Sequence, residues 1–250
     1  MRVAALLVLA LTVGAIAVAT SSAARSPLAA VKGRTIVIDP GHNPGNASHP
    51  AEINRIVDAG TLKKACDTTG TATASGYSEA RFTWELSARL ADVLREAGAR
   101  VVLTRSATRP SWGPCITERA AIGNRAHASV AISIHADGGP AGARGFHVIY
   151  PPSIPGLTDD IATASKALAL DVRAAYRAGT GMPYATYIGA QGLSIRSDLG
   201  GLNLSNVPKV FLETGNMRNA TDAALLQNAA FQKAAARAIA TGLATFLSGR

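Results

Sequence analysis

Three short runs of apolar and β-branched residues stand out along the chain: Thr35-Ile36-Val37-Ile38, Arg100-Val101-Val102-Leu103-Thr104 and Val130-Ala131-Ile132-Ser133-Ile134. Each is too short for a helix and reads as a buried strand. Gly145 to Tyr150 and Val210 to Leu212 read the same way. Between them the apolar positions recur with helical period. Ser78 is placed to cap a helix in which Phe82, Leu86, Leu90, Val93 and Leu94 line one face until Gly98 ends it. Further helices are predicted from about Thr117 to His127, from about Asp159 to Ala178 along Ile161, Ala164, Leu168 and Val172, and from about Ala223 to Leu247. Strands alternating with helices predict one α/β domain over residues 34–250. Its twisted, mostly parallel sheet should carry helices on both faces and a ligand site at the carboxyl ends of the strands.

Two stretches break this pattern. Asn43 to Tyr77, rich in Gly, Thr, Ser and Asn, is long for a connection inside a compact domain; such segments are functional covers or are disordered. At the start, Arg2 precedes an apolar run from Val3 to Ala19 and then Thr20-Ser21-Ser22-Ala23-Ala24. This is the layout of a secretory signal peptide over residues 1–24, with 25–33 a short segment before the domain. The alternative is an uncleaved anchor, since the run approaches spanning length. Both place the rest of the chain outside the cytoplasm, in the periplasm or cell wall, and no later run is long enough to cross a bilayer.

That compartment gives the two cysteines a meaning. An even count in an oxidising environment predicts one disulfide, Cys66 to Cys115, pinning the long segment to the loop before Thr117. Hydrophobic residues at 48% against 16% charged suffice for a full core. The formal charge of +9 asks for an anionic partner. Low aromatic content and the lack of a dense Lys/Arg run argue against nucleic acid, whereas a polyanionic wall or membrane surface fits the compartment.

Three predicted strands run into residues of catalytic type: Asp39-Pro40-Gly41-His42, His135-Ala136-Asp137 and Glu213-Thr214-Gly215-Asn216. A hydrolytic zinc site needs about three imidazole or carboxylate ligands and one open position. His42 and His135 supply the imidazoles. Glu79, in the first turn of the helix after the long segment, is either the third ligand or an ordinary acidic residue favoured by a helix N-terminus. Glu213 is either a general base or a capping carboxylate.

Taken together the runs say more. Ile36 to His42, Ser133 to Asp137 and Phe211 to Asn216, in that order, resemble the zinc-dependent N-acetylmuramoyl-L-alanine amidases of the bacterial cell wall. Ser78-Glu79 with its helix resembles that family's second motif. So does Thr117-Glu118-Arg119 with Asn124-Arg125-Ala126 the stretch leading into the third strand, and the likeness extends from about Arg34 to Phe246. It implies one Zn2+ held by His42, Glu79 and His135, with zinc-bound water as nucleophile and Glu213 as general base and acid. The reaction implied is hydrolysis of the amide between the lactyl group of N-acetylmuramic acid and L-alanine of the stem peptide, in wall remodelling, cell separation or recycling. The implied partner is peptidoglycan or its muropeptide fragments. The family usually has a short Gly-rich connection after the first histidine; here residues 43–77 take its place, read as a lid or wall of the groove.

Arg196, Asp198 and Asn203 are expected to line the groove and bind stem-peptide groups, the alternative being a plain polar loop. His49, His127 and His147 read as surface or satisfied polar residues, His49 being the candidate exception because its loop begins at the metal. A monomer is expected. A peptidase acting within stem peptides, or a domain that binds peptidoglycan without cutting it, are the competing readings; the filled ligand positions disfavour the second. No Gly-x-Ser-x-Gly elbow supports a serine hydrolase.

Overall fold

The computed structural model describes Met1 and residues 27–249. The expected signal peptide therefore lies outside the described residues. Among the described residues, no helix is long and apolar enough to cross a membrane.

The sheet is built from β1 (Thr35–Pro40), β4 (Arg100–Leu103), β5 (Val130–Asp137), β6 (His147–Tyr150), β7 (Leu193–Ile195) and β8 (Lys209–Asn216), in the order β4-β1-β5-β8-β6-β7. β4, β1, β5 and β8 are mutually parallel, while β6 runs antiparallel to β8 and takes β7 with it. β7 was not foreseen, because its sequence has the composition of a loop.

Alternation along each strand sorts the residues onto two faces. Ile36, Ile38, Ile132, Ile134, Val148 and Leu212 point into the main core. There they meet α2 (Glu79–Glu96), α4 (Ala162–Thr180) and α7 (Ala229–Leu247). Phe82, Leu86, Leu90 and Leu94 of α2 are fully buried, as their spacing requires. Ser78 caps this helix by accepting from Arg81 N, and Gly98 at φ +87° follows its end. α4 and α7 cross so closely that a methyl group on Gly242 would lie 2.7 Å from Val172 Cα.

The other face carries a smaller cluster, Val37, Ala128, Ala131 and Val207. It is flanked by α3 (Ile116–Arg125) and α5 (Gly200–Asn203). Further along the same strands the alternation brings Asp39, Ser133, His135, Phe211, Glu213 and His147 to this face.

The predicted last helix is two helices, α6 (Ala220–Leu226) and α7, because Asn228 turns its side chain onto Ala230 N and Phe231 N and starts a new one. Residues 43–77 are more ordered than their composition suggests. They hold a 3₁₀ turn (Asn46–Ser48), α1 (Pro50–Ile53) and an antiparallel pair, β2 (Ile56–Asp58) with β3 (Lys63–Ala65). Cys66 and Cys115 are bridged, across Cα atoms 4.4 Å apart.

Candidate active site

Strand register places the chemistry. His135 of β5 lies opposite Glu213 of β8, which lies opposite His147 of β6, so three polar side chains stand in a row across consecutive strands. Gly41, just past β1, donates its N–H to Ile134 O, and a side chain there would run into the His135 ring. His42 follows at φ +54°, a left-handed conformation that a residue with a Cβ adopts only when its surroundings impose it. Glu79 arrives from the first turn of α2, beneath Gly70. A methyl on Gly70 would stand 2.8 Å from Glu79 Oε2 and from His42 Cδ2.

Donor atoms of His42, Glu79 and His135 all lie within 4.8 Å of one another. Glu79 Oε2 is 3.1 Å from His42 Nε2 and its Oε1 is 2.8 Å from His135 Nδ1. Thr71 N and Ala136 N donate to the same carboxylate, at 3.0 and 3.2 Å. His42 Nδ1 faces Thr68 O at 3.0 Å, which favours a proton on Nδ1 and leaves the Nε2 lone pair for a ligand. His135 stacks on Phe211 with ring centroids 3.9 Å apart. Two imidazoles and one carboxylate, converging and each braced from behind, fit a zinc ion and suit it better than calcium or magnesium.

The electrostatics follow from this crowding. Burial alone would lower the His42 pKa, but the Glu79 charge and hydrogen bonds with Asp67 and Glu79 raise it to about 10. Burial opposes ionisation of Glu79, yet the two imidazoles hold it below the usual carboxylate range. His135 is shifted down, chiefly by burial.

Glu213 is pushed the opposite way. Burial first, then the negative charges of Glu79 and Asp137, raise its pKa well above the ordinary value. Its Oε2 is buried without a hydrogen-bond partner, as is His147 Nδ1. His147 was expected to be a surface or satisfied polar residue; it is instead 1% exposed, and burial lowers its pKa to about 4. The His147 and Tyr187 rings meet edge to face at 6.4 Å.

Arg196 and Asp198 form a two-bond pair at 2.8 and 2.6 Å and stay partly exposed. The Arg196 charge is felt by both Glu213 and His147. Asn203 is placed differently from the expectation that it lines the groove: it is fully buried, and its amide donates to Ala59 O and Ser197 O, fastening two loops. His49 is also no ligand in this arrangement; its Nδ1 contacts Gly45 O at 2.9 Å, and its ring lies near Trp112. A cavity of about 150 Å³ opens beside the cluster, with Ile116, Leu199 and Phe211 among its apolar walls and Asp67 and Arg119 among its polar ones. Asp67, Thr68 and Tyr187 escaped the sequence reading because each meets the site from a loop without a recognisable pattern.

Fold and side-chain cluster together define an α/β enzyme whose ligand set is suited to a divalent metal. The sequence model of the family described as N-acetylmuramoyl-L-alanine amidase matches residues 36–245, and the chain belongs to that family. It is 43% identical over 229 residues to an N-acetylmuramoyl-L-alanine amidase of Mycobacterium tuberculosis, covering 91% of this chain and 92% of that one. The crystal structure of the N-acetylmuramyl-L-alanine amidase Ami1 from Mycobacterium smegmatis superimposes with a TM-score of 0.81 at 40% identity, over 88% of this chain and 99% of the other. The apo form of Ami1 from Mycobacterium abscessus gives 0.80 at 41% identity, over 87% and 100%.

Proposed function

We propose that this enzyme hydrolyses the amide joining the lactyl group of N-acetylmuramic acid to L-alanine of the peptidoglycan stem peptide, with zinc held by His42, Glu79 and His135. The observation that carries this reading is the convergence of those three side chains beside a buried, unpartnered Glu213 oxygen. When bound, zinc supplies Lewis acidity, polarising the scissile carbonyl and making water a competent nucleophile near neutral pH.

The chain's own residues do the rest. Glu213, ionised, accepts the proton of the attacking water at its free oxygen and then delivers it to the departing amine. Its raised pKa suits both halves of that task, since a carboxyl titrating nearer neutrality returns a proton readily. Phe211 supports the His135 ring from below. Both imidazole side chains keep 12% exposure, so the cluster is within reach of solvent and substrate. Arg196 and Asp198 border the Glu213 side and contact the peptide portion of the substrate.

The reading extends to export of the chain by its N-terminal segment and to action in the periplasm or cell wall. The strongly basic surface then favours the anionic wall. The test is mass spectrometry of products from purified muropeptides, with enzyme as prepared, after chelation and zinc readdition, and as Glu213→Ala. Intact stem peptides with a free L-alanine amine, lost on chelation and in the variant, are the expected result. Cuts within the peptide would replace this reading with a peptidase.

A further inference from the structure

Arg119 is 4% exposed, and its guanidinium is committed to six hydrogen bonds. Nε donates to Pro114 O at 2.9 Å. Nη1 donates to Asp39 Oδ1 at 2.8 Å and to Pro40 O at 2.7 Å. Nη2 donates to His42 O at 3.0 Å, Asp67 Oδ2 at 3.0 Å and Gly113 O at 3.2 Å. Three stretches distant in sequence therefore meet on one planar fork: the end of β1 as far as His42, the residue after Cys66, and the residues before Cys115.

The disulfide closes the second stretch onto the third, and Ile116 N donates to Cys66 O at 2.8 Å beside it. Asp67 then points its second oxygen at Thr68 N, 2.8 Å away, and at His42 Nδ1, 3.6 Å away. Thr68 O, also held by Asn46 Nδ2 at 2.7 Å, accepts from that Nδ1 at 3.0 Å. Asp67 is thus a buried carboxylate whose partners are Arg119, the Thr68 amide and His42. Asp39 shares its charge between Arg119 and the buried Lys209 ammonium, 3.3 Å from its other oxygen, so Asp67 balances Arg119 while its own second oxygen stays turned to Thr68 and His42. What the second carboxylate adds is a fixed frame around one imidazole.

We infer that Arg119, acting through Asp67 and the disulfide-stapled Thr68 carbonyl, is a positioning residue for the metal ligand His42. It clamps the His42 backbone in its left-handed conformation and, through Asp67 and Thr68, keeps the proton on Nδ1 so that Nε2 faces Glu79 and His135. The inference rests on the metal-site reading above and is independent of which amide is cut. Lysine cannot replace the fork, because an ammonium does not reproduce its planar donor pattern.

The test is zinc affinity, measured on the metal-stripped full chain by competition with a chromophoric chelator. Asp67→Asn and Arg119→Lys are expected to raise the zinc dissociation constant roughly ten- to a hundredfold. A Cys66→Ser/Cys115→Ser double variant should move it in the same direction, and the remote Arg125→Ala should leave it unchanged. Circular dichroism of each metal-free variant checks the fold. Wild-type affinity in a folded Asp67→Asn or Arg119→Lys protein overturns the proposal. Nitrogen-15 NMR of zinc-loaded wild type gives a reading free of any variant: protonated Nδ1 and metal-bound Nε2 on His42 are expected, and the reverse tautomer overturns the proposal. A wild type that binds no zinc removes the metal site itself, an outcome distinct from unchanged affinity in the variants.

Discussion

Glu79 and Glu213 are both shielded glutamates within one site, and their surroundings drive them apart. The first is flanked by two imidazoles and two backbone N–H donors and stays ionised; the second faces like charges and has an unpartnered oxygen. Divergent carboxyl environments of this kind divide labour between an anion that holds a cation and a group that carries a proton. Glu213→Gln should therefore lower kcat by roughly 10² to 10⁴ while zinc content, read by elemental analysis, stays at the wild-type level. Asp137 helps hold the Glu213 pKa up. Removing its charge in Asp137→Asn makes ionisation of Glu213 easier, so the acidic limb of the kcat/KM profile should move to lower pH; a limb that stays in place would remove Asp137 from this role. That His42, His135 and Glu213 meet in one place was legible in the sequence because each lies toward the carboxyl end of a strand, where open α/β sheets put their ligands. His147 was not, since alternating Phe-His-Val fits any half-buried strand, and its significance lies in the neighbour that β8 brings alongside.

At the scale of elements, the row Gly41, His135, Glu213, His147 across four adjacent strands is fixed by register, and Gly41 is its tightest point. Gly41→Ala should displace the His135 ring and cost zinc binding, while the main core on the opposite face of the sheet stays intact; chelator competition beside far-UV circular dichroism separates the two effects. The strands and α2 were readable because buried β-branched runs and helical spacing are local signals. The break between α6 and α7 was not, because Asn228 sits in an alanine-rich stretch whose apolar period continues past it. The internal order of residues 43–77 was not readable for a related reason. Their order comes from the β2–β3 pair within them and from the disulfide and the Arg119 fork, the last two of which depend on residues elsewhere in the chain.

For the whole molecule, the proposed metal site sets metal and proton in competition for the same imidazole. In the metal-free protein the folded state holds a proton on His42 that the unfolded chain releases near pH 6.5. A folded-state pKa raised to about 10 means this stabilisation is complete below about pH 6.5 and is lost as pH rises toward 10. Urea unfolding of the stripped protein across that range should show the decline, and His42→Asn should flatten it. Opening the Cys66–Cys115 bridge, which spans a sequence separation of 49 residues, should cost about 4 kcal/mol in the same experiment if chain entropy dominates.

The 3₁₀ turn at Ala29–Val31 rests beside the last turns of α7, where Pro27, Ala30, Ala244 and Leu247 border one hollow. β1 starts next to this junction and runs its full length before reaching the histidines, so Pro27 and Ser248 both lie at the pole away from the His42, Glu79 and His135 cluster. A bead, a fusion partner or a bilayer attached at that pole would leave the cutting face directed outward.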